Sequence, residues 1–335
     1  QYEVFAADDG SGSVLVDDDS DSIATYFDMV GPPPVGSLLQ SMEGWLYHHY
    51  GSYEDSSAYK LCPLYIDDLE FGAGPPSISM LSRDPCAPTS NDGEVEVSCV
   101  IIDNSTIQEA LVHYSINGGD YQIVNMVSDG DSTYTGVISV SNGNRVYYYI
   151  TATDDGVDQA EPKTSVYPYD INHDQLGFHV TDELTVKTLQ ETPWPSGNTL
   201  YEGCTVTLTG VVTADTAQYE SSYSSYALQD DEGQWNGIIF DLSVNASEPI
   251  IMTRGDEVTV TGLVTDNDPD WTFKFGGNTR LINALVEVGS FQGEPAPSVV
   301  SCEDIHQTAD EVESYEGVLV KLNNVTISAV NDFDW

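Results

Sequence analysis

Residues 201–213 read Tyr-Glu-Gly-Cys-Thr-Val-Thr-Leu-Thr-Gly-Val-Val-Thr, a tripeptide followed by a run in which apolar side chains alternate with polar ones. Alternation with period two is typical of a β-strand that buries one face. The same tripeptide returns at residues 315–317, and Val318, Val320 and Leu322 continue the alternation after it. The chain therefore begins the same structural unit twice.

The segments that follow the first copy have counterparts at the start of the chain. In the first copy, an acidic turn at residues 228–233 precedes the apolar run of residues 237–241. Residues 2–10 and 12–17 show the same order of strand, acidic glycine-containing turn and strand. Two further pairs of segments match in the same order: residues 255–267 with 36–50, and residues 279–282 with 59–62. We therefore expect one domain to be split between the two ends of the chain.

The pattern of apolar residues predicts an all-β protein. The apolar runs are short, alternate with period two and are separated by clusters of Gly, Asn, Asp and Pro, which is typical of strands and turns. A chain of 335 residues is long enough for two to three domains with their own cores. No apolar run approaches the roughly 18 residues that a membrane span needs, so we expect no membrane insertion.

The charge of the chain excludes some classes of partner. It has 55 acidic residues against nine Lys and Arg, for a formal net charge of -46. Such a surface repels phosphate backbones and anionic headgroups, so we expect no nucleic-acid partner. Low lysine content and abundant Ser, Thr, Asn and Gly favour an extracellular or cell-surface location.

The second region of the chain, residues 75–182, has the pattern of a sandwich domain. Residues 110–119 end in an Asn-Gly-Gly hairpin signal, and residues 146–156 form a tyrosine-rich strand that runs into an acidic turn. This pattern resembles the immunoglobulin-like or fibronectin type III-like spacer domains of secreted bacterial multidomain proteins. The resemblance implies a β-sandwich and says little about function.

Residues 183–290 hold the intact copy of the repeated unit. Its strand at 203–213, its acidic turn, its Gly-Asp-Glu-Val-Thr-Val-Thr-Gly strand at 255–262 and its last strand at 279–281 resemble tandem OB-fold modules of exported proteins. The resemblance implies a five-stranded barrel. The predicted architecture is therefore OB-like barrels alternating with an immunoglobulin-like sandwich, with a terminal OB-like domain split into the fragments 1–74 and 291–335.

Five cysteines leave at least one unpaired within a single chain. Cys86 and Cys99 flank a turn and are predicted to form a disulfide, which stabilises by roughly 3 kcal/mol. Cys62 and Cys302 lie in the two fragments of the split domain, so their disulfide is predicted to join successive units. Cys204 is then left over as a buried thiol, and a disulfide between Cys204 and Cys302 is the open alternative.

Acidic turns make Ca²⁺ the one cofactor that the sequence suggests. Oxygen ligands at alternate positions are typical of calcium loops. Two such sets are predicted to bind Ca²⁺: Asp170, Asn172 and Asp174, and Asp266, Asp268 and Asp270. We expect the first set to lie on a turn that links the sandwich to the following barrel, where an ion would stiffen the array. Residues 17–21 form a similar acidic turn.

No catalytic constellation is visible, and we predict that the chain is not an enzyme. The six histidines are scattered, and no H-E-x-x-H, G-x-S-x-G or C-x-x-C motif is present. The leading interpretation is a structural subunit of an extracellular head-to-tail filament or cell-surface fibre, whose units are separate chains or repeats of one polypeptide. The residues predicted at the polymer interface are Tyr2, Val4, Val14, Val16, Val318, Val320, Leu322 and Val325.

Two alternatives stay open. The chain is then either a non-catalytic accessory or targeting region of a secreted nuclease or hydrolase, or a segment of a carbohydrate-binding adhesin. In the second alternative, Trp45, Trp194 and Trp271 are the platforms for surface glycans.

Overall fold

The protein is described by a computed structural model. The residues it describes are 5–8, 13–34, 37, 39–49, 58–72, 75–103, 105–157, 161–168, 170–215, 225–243, 250–266, 278–306 and 312–327. Five residues singled out above lie outside these ranges: Tyr2, Val4, Asp268, Asp270 and Trp271. The chain divides into two compact units, residues 1–180 and 181–335. Neither is rich in helix, and the predicted all-β class is confirmed.

The first unit contains fifteen described strands and one α-helix. In chain order they are β1 (Phe5–Asp8), β2 (Ser13–Val16), α1 (Asp21–Val30), β3 (Leu39–Met42), β4 (Trp45–His49), β5 (Ala58–Cys62), β6 (Leu69–Phe71), β7 (Ser77–Asp84), β8 (Glu94–Ile102), β9 (Ile107–Ile116), β10 (Gln122–Asn125), β11 (Val127–Ser128), β12 (Thr133–Ser139), β13 (Arg145–Asp154), β14 (Thr164–Tyr167) and β15 (Leu176–His179). A short 3-10 helix, Ile66–Asp68, precedes β6.

The second unit has fewer and longer strands. Its described elements are α2 (Val186–Gln190), β16 (Thr205–Ala214), β17 (Ser225–Gln229), β18 (Gly237–Leu242), β19 (Asp256–Thr265), β20 (Arg280–Phe291), β21 (Ser298–Val300), a 3-10 helix (Val312–Tyr315) and β22 (Val320–Leu322). None of the helices in the described ranges has the length and apolar character of a membrane span.

The N-terminal region is a four-stranded sheet with the order β1-β2-β5-β4, accompanied by the antiparallel pair β3-β6. The helix α1 was not expected from the sequence. It forms because Ile23 and Phe27, four residues apart, lie on one face and pack with Leu69 in a small core. Its ten residues are too few to produce a long helical pattern of apolar residues in the sequence.

Residues 77–179 form a sandwich of two sheets. One sheet has the order β7-β8-β12-β11, and the other has the order β10-β9-β13-β14, with β15 also paired to β13. Alternate residues of these strands point inwards and form a single core, which includes Val97, Val112 and Ile150, all without exposed surface. The outer faces of both sheets therefore carry the intervening residues.

The second unit is built around a closed barrel with the order β16-β17-β18-β20-β19. Strands β18 and β20 run parallel and the other neighbours run antiparallel. Val206 and Leu208 of β16 point inwards with exposed fractions of 5% and 1%. The structure confirms the five-stranded barrel that the sequence predicts.

The C-terminal segment packs on this barrel. Gly317 contacts Gly237 so closely that a Cβ on Gly237 would lie 2.3 Å from the backbone of Gly317. The side chain of Gln229 accepts a hydrogen bond from the amide of Leu319 at 2.7 Å. β22 then pairs in parallel with β21. The segment that begins at Val318 and is predicted at the polymer interface therefore has a partner strand within residues 291–335, and β22 is much shorter than the predicted strand.

The predicted disulfide between Cys86 and Cys99 is wrong. Cys99 is a free thiol that points into the sandwich core, whereas Cys86 is disulfide-bonded. β7 pairs with β8 so that Asp84 lies opposite Glu96, and the chain after Asp84 moves away from Cys99. The position of Cys86 beyond the end of β7 and the position of Cys99 on β8 are therefore about 17 Å apart along the strand direction. The Cα atoms of a disulfide are about 6 Å apart.

The remaining cysteines also differ from expectation. Cys204 is buried as predicted, but it is disulfide-bonded rather than a free thiol. Cys302 is free and exposed, so the alternative disulfide between Cys204 and Cys302 is wrong. Cys62 is a free, buried thiol. A disulfide between Cys62 and Cys302 of successive units stays a prediction.

Candidate functional site

The outer face of the five-stranded sandwich sheet concentrates aromatic side chains. Along β13, residues at even positions are buried, so Tyr147 and Tyr149 lie on the outer face. His113 of β9 lies opposite Tyr149, and Ile123 of β10 lies opposite His113. The antiparallel register therefore places Ile123, His113 and Tyr149 in one row across three strands.

The rings on this face are in contact. His113 and Tyr149 are stacked, with centroids 4.6 Å apart and an interplanar angle of 5°. Tyr121 approaches Tyr149 with a centroid distance of 5.4 Å and a tilt of 56°. Tyr121 and Ile123 expose 44% and 59% of their surface, so the cluster is open to a ligand.

Hydrogen-bonding groups lie beside the rings. The hydroxyl of Tyr121 donates to Oε1 of Gln175 at 2.6 Å. Nε2 of His113 and Oγ1 of Thr151 are 2.9 Å apart. These bonds hold the rings in place, and each of the groups keeps further capacity for a ligand hydroxyl.

The cluster is uncharged near neutral pH. Burial lowers the pKa of His113 against the opposing effect of Glu109, so the imidazole is neutral. Burial and the neighbouring Tyr121 raise the pKa of Tyr149, so its hydroxyl stays protonated. In a chain that carries a charge of -46, this neutral aromatic surface is a local exception.

A cleft of about 380 Å³ borders the same face. It is lined by Ile107, Gln108, Glu109, Ala110, Asn125, Met126, Ser128 and Tyr134. Asn125 lies opposite Leu111 on β9, two residues from His113, and Glu109 lies two residues farther along the strand. The aromatic row and the cleft are therefore neighbouring parts of one surface, which we call the aromatic face and its bordering cleft.

Aromatic rings beside amide and hydroxyl groups suit a sugar. The C–H groups of a pyranose ring pack on an aromatic ring, while its hydroxyls exchange hydrogen bonds with polar side chains. The neutral His113 imidazole and the protonated Tyr149 hydroxyl can each exchange hydrogen bonds with an uncharged ligand.

The predicted calcium residues behave differently. Oδ1 of Asp170 accepts a hydrogen bond from the amide of Asn172 at 3.1 Å, and the backbone carbonyl of Asp170 accepts from Asp174 at 2.9 Å. The turn lies between β14 and β15 inside the sandwich, because β15 still pairs with β13. The expectation that it links the sandwich to the barrel is therefore wrong, and Ca²⁺ binding there stays a prediction.

Asp266 is buried, and both of its carboxylate oxygens are engaged. Oδ2 accepts from the amide of Thr199 at 2.9 Å and Oδ1 accepts from the hydroxyl of Thr279 at 2.6 Å. Within the described ranges, a group of three carboxylates with oxygens within 4.8 Å of one another occurs at Asp17, Asp18 and Asp19. Burial opposes ionisation of Asp17, but hydrogen bonds from Lys60 and Tyr47 lower its pKa.

The other residues predicted at sites are dispersed. Val16 is buried in the N-terminal sheet and Val14 is half-buried beside it. Trp45 exposes 66% of its surface, and Trp194 is half-buried. The exposed fraction of Val325 is 59%. The aromatic face was not predicted from the sequence. The signal for it is that His113 occupies an outward-facing position of its strand, as Tyr147 and Tyr149 do in the tyrosine-rich strand.

Comparison with known proteins gives one family match. The family model described as carbohydrate binding module family 56 matches residues 90–161. This range contains β9, β10 and β13, and therefore the aromatic row and the bordering cleft. The match covers a minority of the chain, so it describes residues 90–161 and not the whole protein. A search of curated proteins finds no match.

Solved structures give distant matches. The Br derivative of BhCBM56 matches with a TM-score of 0.19 and 13% identity over 31% of this chain and 88% of that chain. A laminaripentaose-producing β-1,3-glucanase of family 64 from Paenibacillus barengoltzii matches with a TM-score of 0.20 and 12% identity over 60% of this chain. The chain spans 50% of that glucanase, and the structure with laminarihexaose matches at 11% identity with the same coverage. At these TM-scores, the solved structures support no conclusion about this chain, and the family match is the comparison that bears on residues 90–161.

Proposed function

We propose that the sandwich binds a neutral carbohydrate on the aromatic face. The observation that carries this proposal is the coincidence of the family match at residues 90–161 with the ring cluster of the exposed Tyr121 and the half-buried Tyr149 and His113. A neutral glycan is also a partner that a surface of charge -46 does not repel, whereas an anionic glycan would be repelled.

Tyr149 is the centre of the proposed site because it contacts both other rings. A sugar ring that packs on Tyr149 is within reach of the hydroxyl of Tyr121, which is held in place by its hydrogen bond to the buried Gln175. Binding therefore needs little reordering of the side chains, which lowers its entropic cost. The region acts without catalysis and serves to hold the protein on a glycan-containing surface outside the cell.

Binding of the intact protein to soluble neutral and acidic polysaccharides, measured by affinity electrophoresis, tests this proposal. Tyr149→Ala should weaken binding to a neutral glycan about tenfold, which corresponds to about 1.4 kcal/mol. Tyr121→Phe should weaken it less, because it removes a hydroxyl and leaves the ring. Tyr65→Ala, at a site where 65% of the side chain is exposed outside the matched region, is the control. Equal binding by the Tyr149 and Tyr65 variants would overturn the proposal.

A second candidate function is that of a structural subunit of an extracellular filament or cell-surface fibre. The observation that favours it is the N-terminal sheet, whose strands β1-β2-β5-β4 reproduce four strands of the barrel in the same order. A four-stranded part of a barrel leaves two edges for another strand. Negative-stain microscopy of the purified protein tests this candidate, and particles without fibres at every concentration would overturn it.

A further inference from the structure

The N-terminal sheet and the barrel share their topology. In the barrel, β17 and β18 form an antiparallel pair, β18 and β20 run parallel, and β20 and β19 run antiparallel. In the N-terminal sheet, the pairs β1-β2, β2-β5 and β5-β4 have the same three directions. A parallel pair in the same place within two otherwise antiparallel sheets is a specific agreement, because such pairs require a crossover connection.

The register of the two sheets agrees around the parallel pair of strands. The parallel rung that joins Ile239 to Arg280 in the barrel corresponds to the rung that joins Leu15 to Lys60. Each of the two cations pairs with an aspartate at the C-terminal end of the adjacent parallel strand. Lys60 lies 2.5 Å from Oδ2 of Asp17, and Arg280 lies 3.1 Å from Oδ2 of Asp241. The N-terminal sheet is therefore a barrel of the same kind that has four of its five strands.

The strand that the N-terminal sheet lacks is the counterpart of β16. In the barrel, β16 pairs with β19 on one side and with β17 on the other. The corresponding strands β4 and β1 end the sheet in the described part of residues 5–72. Trp45 and Leu46 at this edge expose 66% and 58% of their surface. An open edge with exposed apolar side chains is a site for strand addition.

The segment that resembles β16 lies near the other end of the chain. The tripeptides at residues 201–203 and 315–317 place Val320 at the position of Val206 and Leu322 at the position of Leu208. Val206 and Leu208 are buried in the barrel, whereas Val320 and Leu322 are only half-buried in the short ladder with β21. A two-stranded sheet of this length is marginally stable, so its ladder is available for exchange.

We propose that residues 318–327 of a second copy of this chain insert between β4 and β1 and close the N-terminal barrel. This inference rests on the second candidate function and identifies its contact surface. The inserted strand would place Val320 and Leu322 in the core of the closed barrel, as Val206 and Leu208 are placed in the intact one.

The register of the closed barrel predicts a cross-strand ion pair. In the intact barrel, Thr207 faces Thr261, with their hydroxyl oxygens 2.8 Å apart. The tripeptide alignment puts Lys321 at the position of Thr207. Tyr47 of β4 and Thr265 of β19 each lie opposite the paired cation of the adjacent strand. Glu43 and Thr261 lie four residues before them, and Glu43 stands at the break between β3 and β4, so this correspondence puts its carboxylate near Lys321. One of the nine cationic residues of the chain thus falls close to a carboxylate, which favours this occupant.

Sedimentation velocity of the intact protein over a range of concentrations tests strand donation. Val320→Asp should abolish association, because the carboxylate would enter the barrel core. Val299→Asp is the matched control, since Val299 lies on the neighbouring strand β21 with 69% of its surface exposed. Association that Val320→Asp and Val299→Asp affect equally overturns the proposal, and a wild-type protein that stays monomeric overturns it too.

A charge exchange tests the register with substitutions at exposed positions. Lys321→Glu and Glu43→Lys, each alone, should raise the concentration for half-association up to about fivefold through like-charge contact. An equal mixture of the two variants should recover wild-type association, because every contact in the mixed assembly can join opposite charges. A mixture no better than the separate variants overturns the register and the proposal.

The filament candidate and strand donation fail in different ways. Oligomers that respond to Val320→Asp, in a protein that shows no fibres in negative stain, support strand donation and overturn the filament. Fibres that grow equally well with Val320→Asp overturn strand donation and leave the filament in place.

Discussion

The barrel of the second unit and the N-terminal sheet of the first unit are two versions of one fold that differ in closure. Both have the strand order and the aspartate-cation pair described above. In the barrel, the closing strand β16 ends at Ala214 and pairs with β17, which begins at Ser225. In the described part of residues 5–72, the N-terminal sheet ends at β1 and β4 without a fifth strand. The comparison shows that the four shared strands and their ion pair form with or without a closing strand.

The two regions also differ in the continuity of their strands. The barrel strand β19 is unbroken, whereas its counterpart is interrupted at Glu43 and Gly44 into β3 and β4. A Cβ on Gly44 would lie 2.9 Å from the backbone of Cys62, so the close approach of these two segments requires glycine. The N-terminal version thus contains a bend next to the edge at which a closing strand would add.

The largest expected effect separates the first strand of the closed barrel from its copy β22, which pairs only with the short strand β21. Leu208→Ala should lower the free energy of unfolding of the second unit by about 4 kcal/mol, because it leaves a cavity at a fully buried site. Leu322→Ala, at the matching half-buried position, should cost under about 1 kcal/mol in the monomer. Urea denaturation of dilute protein measures both. Equal losses would show that residues 318–327 are already part of a packed core.

The sequence predicts much of this architecture and little of the site. Alternating apolar residues and repeated tripeptides are local signals, and they give the class, the barrel and the correspondence between Lys60 and Arg280. The aromatic face depends on the register between β9 and β13, which brings together His113 and Tyr149 from distant positions. Register is set by the packing of the whole sandwich, so inspection of one strand at a time did not find it.

Disulfides were predicted poorly for a related reason. The predicted disulfide relied on the closeness of Cys86 and Cys99 in sequence. In an antiparallel pair of strands, two residues that are not directly opposite each other are separated along the strand direction, however close they are in sequence. Sequence separation is therefore a weak guide to Cβ distance in a sheet. The helix α1 was not predicted because the sequence comparison matched the strands on either side of it and gave no information about the residues between those strands.

An intermediate effect concerns pH, and it should distinguish the barrel from the N-terminal sheet. Burial raises the pKa of Asp266 to about 6, against the hydrogen bonds that it accepts from Thr279 and Thr199. The folded barrel therefore holds a proton that the unfolded chain releases near pH 4. Between these values the native state binds more protons, so the stability of the barrel falls as pH rises through about 6. His48 occupies the matching position in the N-terminal sheet, which has no such carboxylate there.

Thermal denaturation from about pH 4.5 to 8 checks this prediction against the variant Asp266→Asn. The wild-type barrel should lose about 2 kcal/mol relative to the variant as pH rises. The hydroxyl of Thr279 can reverse its hydrogen bond to accept from the new amide, so the variant keeps a partner for that group. Carboxylates remote from Asp266 are common to both proteins and cancel in the difference, whereas the nearby Glu313 and Glu316 interact with its charge and contribute to the difference. Parallel stability curves would contradict the raised pKa.

The smallest expected effect is that of calcium, and it compares two acidic turns of the first unit. Asp170, Asn172 and Asp174 are proposed to bind Ca²⁺ at the turn between β14 and β15, where Oδ1 of Asp170 also accepts the amide of Asn172. An exposed site of this kind with few carboxylates should be weak, in the range of about 10⁻⁴ to 10⁻³ M that extracellular modules show. Isothermal titration of the intact protein should therefore show a weak binding step that Asp174→Asn removes.

Asp129→Asn, on an exposed turn of the same sandwich, should leave the step unchanged. If the step instead disappears with Asp18→Asn, the ion binds the carboxylates of residues 17–19, and the calcium prediction at residues 170–174 is wrong.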